Sequence, residues 1–249
     1  MAHIMKSVAA IVVFLLAASV QAIAGEAPCR ALTFDAQRFT VCEIDLARHE
    51  LVLYSVDETG TPFAGFARLP KEREGSPLVF AMNAGMYHSD LSPVGLHIEE
   101  GEELQRASTR PGPGNFHLLP NGVFYVDEGR AGVATTQDFL ARGISPEIAT
   151  QSGPMLVIDG DLHPRFIASS DSYRRRNGVG VRDDGAIVFA ISDGLVNFHH
   201  FARLFRDELS IDNALYFDGT MSSLYAPHLD RADTIRPMGP MIAAYLRSE

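Results

Sequence analysis

Residues 176–194 read RNGVGVRDDGAIVFAISDG. Two short apolar runs, 178–181 and 187–191, flank the dipeptide Asp184-Gly185. Because a tight turn between antiparallel strands requires positive φ angles, an Asp-Gly pair between two such runs predicts a β-hairpin. This stretch therefore indicates antiparallel β-structure.

Similar strand-like runs recur along the chain between turn residues. Asn121-Gly122 and Asp159-Gly160 stand beside such runs and are strong hairpin signals. We therefore expect consecutive strands to be antiparallel neighbours in a mostly antiparallel or mixed, twisted β-sheet. The remaining runs are 39–44, 50–55, 78–82, 122–126 and 154–158.

Helices are fewer than strands in this pattern. Asn197 is a residue type that caps helices, and apolar residues recur at helical spacing after it, so we expect a helix whose apolar stripe faces the sheet. Two shorter helices are predicted over 135–142, closed by Gly143, and over 240–246. The predicted fold class is α+β. The apolar stripe consists of Phe198, Phe201, Ala202, Phe205 and Leu209.

The first 24 residues have the pattern of a secretory signal peptide. Lys6 precedes an apolar run over 8–20, and small residues up to Ala24 form a cleavage site. Because the run is shorter than the roughly 20 residues needed to cross a bilayer, we favour cleavage near Ala24 over a retained membrane anchor. Residues 1–4 precede a second methionine, Met5, and are interpreted as an upstream start or as a remnant added to the natural sequence. No linker divides 25–249, so we predict one periplasmic or secreted domain without a membrane span.

Charge and cysteine content narrow the class of protein further. Acidic residues outnumber basic ones by 31 to 21, which gives a net charge of −10. Sequence-independent binding to the phosphate backbone of nucleic acid requires a basic surface, so no nucleic-acid partner is expected. The two cysteines, Cys29 and Cys42, favour a disulfide in an oxidising compartment, with two buried thiols as the alternative.

Polar residues collect where four strand-like runs end, which is where active sites commonly form. In the first segment, Asn83 provides an amide that both donates and accepts, and Gly85 allows close approach of another backbone. In the second, Gln151 and Ser152 are candidates for binding hydroxyl groups. The alternative for both segments is an ordinary turn or the cap of a strand.

The third and fourth segments carry charge. In RRRNGVG, 174–180, Arg176 is best placed at a strand start, and a guanidinium matches phosphate or carboxylate geometry. In NALYFDG, 213–219, a strand delivers Asp218 to a turn that begins with Gly219, where backbone N–H groups could hold the carboxylate toward a ligand. Asp193 ends another strand and is a second candidate carboxylate. A solvated charged face and plain turns remain the alternatives.

Several familiar catalytic patterns are missing from the sequence, among them the G-x-S-x-G elbow, the phosphate-binding P-loop and the H-E-x-x-H helix. The loop RPGPGN, 110–115, has a composition that suits phosphate. Its prolines, however, remove backbone donors, so we predict a rigid surface loop instead.

The order of these segments resembles exported bacterial members of the phosphodiester glycosidase family. That family includes an enzyme that removes N-acetylglucosamine from a sugar phosphodiester. The similarity extends over 79–225, and a set of motifs in this order is far more specific than any one of them. The motifs are NAGMY, PVGL, GNFHLLPNGVF, ATQSGPML, RNGVGV and NALYFDG.

The resemblance implies which residues are functional. Ala84, Thr220 and Met221 replace glycines of the family pattern, which implies a narrower pocket and a different substrate. The positions that match the strand-end asparagine segment, the arginine and the Asp-Gly turn with its serines are Asn83, Gly85, Arg176, Asp218, Gly219, Ser222 and Ser223.

The implied reaction is hydrolysis of the C1–O bond of a sugar 1-phosphodiester. Arg176 would stabilise the negative charge of the departing phosphate. Asp218 would stabilise the oxocarbenium-like sugar or activate the incoming water, with Asp193 as the second carboxylate. No cofactor is expected, although a divalent cation on Asp218 and a neighbouring carboxylate stays open. The alternative function is a non-catalytic periplasmic module that binds an anionic glycan.

Overall fold

The computed structural model describes residues 27–218, 222–233 and 236–247. The predicted signal peptide and its cleavage site lie outside these residues. Within the described residues, no helix combines the length and the apolar character that crossing a membrane requires.

Strands dominate the architecture, as the turn-separated apolar runs predicted. In the described parts of the chain, two α-helices accompany them, α1 (Thr136–Arg142) and α2 (Phe198–Arg203). The strands are β1 (Cys29–Phe34), β2 (Gln37–Ile44), β3 (His49–Tyr54), β4 (Glu72–Arg73), β5 (Ser76–Asn83), β6 (His97–Glu99), β7 (Glu102–Gln105), β8 (Gly122–Asp127), β9 (Arg130–Thr135), β10 (Ile148–Ser152), β11 (Met155–Ile158), β12 (Asp161–Leu162), β13 (Asn177–Val181), β14 (Ile187–Ser192), β15 (Ala214–Tyr216), β16 (Leu224–Ala226), β17 (Arg231–Ala232) and β18 (Met241–Leu246).

The strands form three antiparallel sheets. The first sheet has the order β1-β2-β14-β13-β15-β11-β12, the second β7-β6-β10-β8-β9, and the third β17-β16-β5-β18-β3, with β4 also paired to β5. The hairpin predicted from 176–194 is β13–β14, in which Val181 pairs with Ile187 across the turn. The α+β prediction is confirmed, with antiparallel pairing throughout the described strands.

The main core lies between the sheets. Phe80 of the third sheet, Phe124 of the second and Phe189 of the first are all fully buried in one apolar cluster. Their aromatic rings approach each other, with centroids 4.7 Å apart for Phe80–Phe189 and 6.1 Å for Phe124–Phe189. Because one cluster binds all three sheets, their strand ends are held at fixed positions relative to one another.

Helix α2 packs on the first sheet, as its apolar stripe predicted. Phe201 and Phe205 are fully buried in a second cluster with Phe39 of β2 and Val188 of β14. The Asn197 side chain accepts from the backbone N–H of His200 and so caps the helix. The α-helix ends at Arg203 and continues as one π-helical turn.

Helix α1 is capped by Thr135 and ends at a left-handed Gly143, close to the predicted bounds.

The predicted C-terminal helix over 240–246 is wrong, because this segment forms β18. The strand lies between β3 and β5 in the third sheet, and all but its last residue are buried. A short, uninterrupted apolar run is compatible with either a buried helix or a central strand. Here the segment is a strand because it pairs with a neighbouring strand on each edge, although its two alanines, Ala243 and Ala244, favour a helix.

Cys29 and Cys42 form a disulfide, as predicted. They are opposite partners in the β1–β2 pair, so the bond joins two adjacent strands at the edge of the first sheet. A disulfide fits a protein of an oxidising compartment.

Candidate functional site

Two buried asparagines join the first and third sheets at their strand ends. Asn177 begins β13 and Asn83 ends β5, and both are inaccessible to solvent. The Asn177 Nδ2 donates to the Asn83 backbone oxygen at 3.0 Å and lies 3.2 Å from the Asn83 Oδ1. Because buried amides are stable only when hydrogen-bonded, this pair fixes the two strand ends against each other.

The asparagine pair also holds the segment that carries Asp218. This segment leaves β15 in the first sheet and returns as β16 in the third. The Asn177 Oδ1 accepts from the Asp218 backbone N–H at 3.3 Å, and the Asn83 Oδ1 accepts from the Ser223 N–H at 2.8 Å. Each asparagine therefore binds one end of the crossing between the sheets.

The second sheet reaches the same segment through β10. The Ser152 hydroxyl donates to the Phe217 backbone oxygen at 2.7 Å, and the Thr150 hydroxyl accepts from the Gly85 N–H at 3.2 Å. Strand ends from all three sheets thus converge on Asp218. We name this convergence the strand-end site, defined by Asn83, Gly85, Ser152, Asn177, Asp218, Ser222 and Ser223.

The backbones approach closely at Gly85, as predicted for this glycine. A Cβ added there would lie 2.5 Å from the Gln151 backbone oxygen and 2.5 Å from the Thr150 Oγ1. We expect Gly85→Ala to lower the free energy of unfolding by about 1 to 3 kcal/mol, since a backbone oxygen cannot move aside as a flexible side chain can. Urea denaturation measures the change.

Gly65→Ala is the matched control for this substitution. A Cβ at Gly65 would meet nothing within 4 Å, and the backbone there is extended, so stability should stay unchanged. Equal stability of the two variants would show that the contact at Gly85 relaxes without cost.

The serines of the predicted turn differ in their contacts. The Ser222 hydroxyl lies 2.7 Å from the Asp218 backbone oxygen and 3.0 Å from the Asn177 Oδ1, so internal acceptors already engage it. The Ser223 Oγ is buried, and within the described parts of the chain it has no hydrogen-bond partner. Gly219, the remaining predicted member of the turn, lies outside the described residues.

Tyr87 also belongs to this site, although it was not among the predicted site residues. Its hydroxyl is buried and has no hydrogen-bond partner in the described residues. Burial, and next the negative charge of nearby Asp218, raise the pKa of Tyr87 to about 12, while the Gly239 backbone acts in the opposite direction. The hydroxyl is therefore protonated at neutral pH and able to donate.

Arg176 lies on the other face of β13. Successive strand residues point to opposite faces, so the Arg176 side chain faces α2 while Asn177 faces the third sheet. Its guanidinium is fully buried, with the Cζ 3.6 Å from the centroid of the Phe198 ring. Burial lowers the pKa of Arg176, and Tyr216 partly offsets this effect.

The Arg176 guanidinium fastens two loops. Its Nε donates to the Val196 oxygen at 2.9 Å and its Nη2 to the Ser172 oxygen at 2.8 Å. The Nη1 has no partner of hydrogen-bond geometry within the described residues. Arg176 thus supports the strand that carries Asn177 and keeps one donor unused.

Asp193 belongs to an ion-pair cluster at the edge of the strand-end site. Its Oδ1 lies 3.2 Å from the Arg231 Nη1 and 3.3 Å from the Thr40 hydroxyl. Arg231 also pairs with Asp233, which contacts Arg175 at 3.3 Å. These contacts link the end of β14 to the β16–β17 hairpin. A catalytic role for Asp193 stays a prediction.

The Gln151 amide is occupied by the protein itself. Its Oε1 accepts from the Leu96 and Ser108 N–H groups, and its Nε2 donates to the Ser108 oxygen and the Thr136 hydroxyl. The four distances lie between 2.8 and 3.0 Å. Gln151 therefore anchors the chain around Ser108, and its predicted contact with a substrate would require one of these bonds to open.

The match to a family model follows the same stretch of chain. The model describes phosphodiester glycosidases and matches residues 76–244, which include every described member of the strand-end site. The chain belongs to the phosphodiester glycosidase family. This confirms the resemblance found in the ordered motifs.

The chain is similar in sequence to the uncharacterized protein YigE of Escherichia coli (strain K12). It is 40% identical over 147 residues, which are 58% of this chain and 57% of the relative. The match therefore spans little more than half of the length of that protein.

Solved structures share the fold of this phosphodiester glycosidase domain. The zebrafish N-acetylglucosamine-1-phosphodiester alpha-N-acetylglucosaminidase catalytic domain, auto-inhibited by its pro-peptide, has a TM-score of 0.58 at 14% identity, over 88% of this chain and 82% of that one. A hypothetical protein from Synechocystis has a TM-score of 0.50 at 14% identity, over 88% of this chain and 61% of that one. At such identities the likeness shows the fold alone.

Metal binding was left open by the sequence. Among the side chains that the structure describes, no group of three His, Cys, Asp or Glu residues is arranged to hold a metal ion.

Proposed function

We propose that this protein is an exported hydrolase that cleaves a sugar 1-phosphodiester at its glycosidic C1–O bond, in a glycan or glycoconjugate. The observation that carries the proposal is the convergence of three sheets on the Asp218 segment, inside the stretch that matches the phosphodiester glycosidase family. The disulfide supports export, since such bonds persist in oxidising compartments.

The chemistry requires little acid catalysis. When the C1–O bond breaks, the bonding electrons leave with a phosphate monoester, which is a weak base and departs readily. A water oxygen forms the new bond to C1, and its proton passes to a base. Asp218 is our candidate for this base or for a carboxylate that stabilises the oxocarbenium-like sugar, because the Asn177 side chain holds its backbone N–H at the strand ends.

The remaining polar groups would bind the substrate and support the site. The Ser223 hydroxyl and the Tyr87 hydroxyl are buried and have no partner of hydrogen-bond geometry in the described residues. Both would donate to sugar or phosphate oxygens of a substrate that displaces the groups covering them. Asn83 and Ser222 would act mainly by holding the Asp218 segment, given the bonds that they already make. Arg176 would act from the other face of the strand, by its buried positive charge and by holding the loops at Val196 and Ser172 next to the start of β13.

Tyr87→Phe separates function from stability. The substitution removes a buried hydroxyl that has no partner in the described residues, so we expect an unchanged or slightly higher free energy of unfolding. If the hydroxyl donates to substrate, kcat/KM falls by about 10- to 100-fold. Denaturation and sugar-release assays on the same preparation give both quantities.

Tyr245→Phe provides the opposite control. The Tyr245 hydroxyl bonds to the Pro70 oxygen at 3.0 Å and to the Tyr54 hydroxyl at 3.0 Å, remote from the Asp218 segment. This variant should lose stability and keep its activity. A Tyr87→Phe enzyme with wild-type kcat/KM would remove Tyr87 from the proposed site.

The proposed function is tested by incubating the purified protein with UDP-N-acetylglucosamine and a panel of other sugar 1-phosphodiesters. Released free sugar is measured, with the position of bond cleavage read from incorporation of oxygen-18 water. Label in the sugar indicates C1–O cleavage, as proposed, whereas label in the phosphate indicates a phosphodiesterase. Tight binding of the panel without any release would favour a glycan-binding module.

A further inference from the structure

A large groove is connected to β10 of the strand-end site through Ser108, which lines the groove and bonds to Gln151. It has a volume of about 920 Å³ and is formed mainly by the segment between β7 and the short helical turn Asn115–His117, with His88 and Val94 on the other side. We name it the loop groove. It includes most of the proline-containing loop that the sequence predicted to be a rigid surface element.

The loop groove has an excess of positive charge in an acidic protein. Arg106 and Arg110 line it, against one carboxylate from Glu103. The whole chain, by contrast, carries a net charge of −10. Two guanidinium groups in a concave surface, against one carboxylate, attract anions there, whatever the overall charge of the protein.

The two arginines are available to a ligand. The Arg106 side chain is 94% exposed, and its Nε lies 3.9 Å from the Glu103 carboxylate, at the limit of an ion pair. Arg110 is exposed, and no ion pair engages its guanidinium among the residues that the structure describes. Most arginines in contact with carboxylates elsewhere in this protein are at 2.6 to 3.4 Å. The groove arginines therefore have weaker internal partners.

The wall of the groove is held in place from the strand-end site. Gln151 binds both the N–H and the oxygen of Ser108, and its own backbone oxygen lies against Gly85. Farther along, the His117 Nδ1 lies 2.8 Å from the Arg110 backbone oxygen. Pro111 and Pro113 fix their own φ angles. The groove is therefore a preformed surface attached to the same strand ends as Asp218.

The groove is joined to the proposed reaction centre through β10. Ser108, which lines the groove, bonds to Gln151, and the next residue, Ser152, bonds to the Phe217 oxygen beside Asp218. A substrate whose scissile linkage lies at Asp218 would extend along this wall.

We propose that the loop groove binds a second anionic group, a phosphate or a carboxylate, on the part of the substrate beyond the scissile phosphodiester. The natural substrate is then an extended, repeatedly charged glycan chain and not an isolated sugar phosphodiester. This inference rests on the proposed function for the position of the scissile bond. The hydrogen bonds to this anionic group would come from the guanidinium groups of Arg106 and Arg110. These side-chain donors would replace the backbone donors that the prolines remove.

The test compares two substrates that differ by one phosphate. Both carry the same sugar 1-phosphodiester linked to glycerol, and one has a second phosphate on the glycerol. For the wild type we expect KM to be roughly tenfold lower for the doubly charged substrate, as two exposed guanidinium–phosphate contacts would provide. In Arg106→Gln/Arg110→Gln this ratio should approach one, and added salt should reduce it in the wild type.

Arg130→Gln/Arg165→Gln is the matched control, because it removes the same charge from exposed positions outside the groove. It should retain the wild-type ratio of KM values. A groove variant that keeps the ratio, or a control that loses it equally, would overturn the proposal.

A binding measurement separates this proposal from the hydrolase proposal. The probe is a glycerol-phosphate hexamer without sugar, titrated by calorimetry into the full chain. Binding that depends on Arg106 and Arg110, in a protein that cleaves no sugar phosphodiester, would uphold the groove and reject the hydrolase. Cleavage of both substrates with equal KM, and no binding of the hexamer, would reject the groove and uphold the hydrolase.

Discussion

Asp218→Asn is expected to lower kcat for a sugar 1-phosphodiester by about 10²- to 10⁴-fold, the usual range for a positioned acid or base. The amide has nearly the shape of the carboxylate, and the Asp218 backbone N–H that bonds to Asn177 is unaffected by the change. The fold should therefore persist while the ionised group is lost. Sugar release and circular dichroism, measured on the same sample, check the two parts of this expectation.

Asp183→Asn is the control for the loss of one negative charge. Asp183 is exposed in the β13–β14 hairpin turn, away from the strand ends. Its substitution should leave kcat at the wild-type value. If Asp218→Asn retained full turnover, the catalytic carboxylate would have to be another residue, with Asp193 the next to test. The binding-module alternative would be favoured if neither the wild type nor Asp218→Asn turned over any sugar 1-phosphodiester and both bound these compounds equally.

Much of the fold could be predicted because the local signals were strong. Asp184-Gly185 between two apolar runs led to the β13–β14 hairpin, and Asn197 followed by a helical stripe led to α2. The segment 240–246 failed because its neighbours in space, β3 and β5, come from distant parts of the chain. Local sequence carries no information on such pairing.

The candidate site was predicted in part, for a similar reason. Asn83, Gly85 and Asp218 stood out because polar residues and glycines collect where strand-like runs end, which is where active sites commonly form. Asn177 was missed beside Arg176, although asparagine is itself disfavoured in strands and was the available signal. The roles of Gln151 and Arg176 could not be read from the sequence, because they depend on which face of a strand meets which loop.

Asn177→Ala should cause the largest loss of stability among the substitutions considered, about 3 to 5 kcal/mol in the free energy of unfolding. The side chain donates to the Asn83 oxygen and accepts from the Ser222 hydroxyl in a buried region, and it accepts from the partly buried Asp218 N–H. Its removal leaves polar groups of both sheets without partners. The midpoint of urea denaturation measures the loss.

Asn115→Ala tests whether the loss belongs to the buried position and not to the amide in general. Asn115 is exposed, and its side chain makes no hydrogen bond to the residues that the structure describes, so the stability of the Asn115→Ala protein should change little.

The loss of stability and the loss of activity in Asn177→Ala should be linked, because the amide that joins the sheets is the one that positions Asp218. Substrate present in excess should then restore part of the lost stability, since binding to the folded state alone shifts the unfolding equilibrium. A variant that is strongly destabilised but turns over substrate at the wild-type rate below its unfolding midpoint would show that Asn177 serves only the fold.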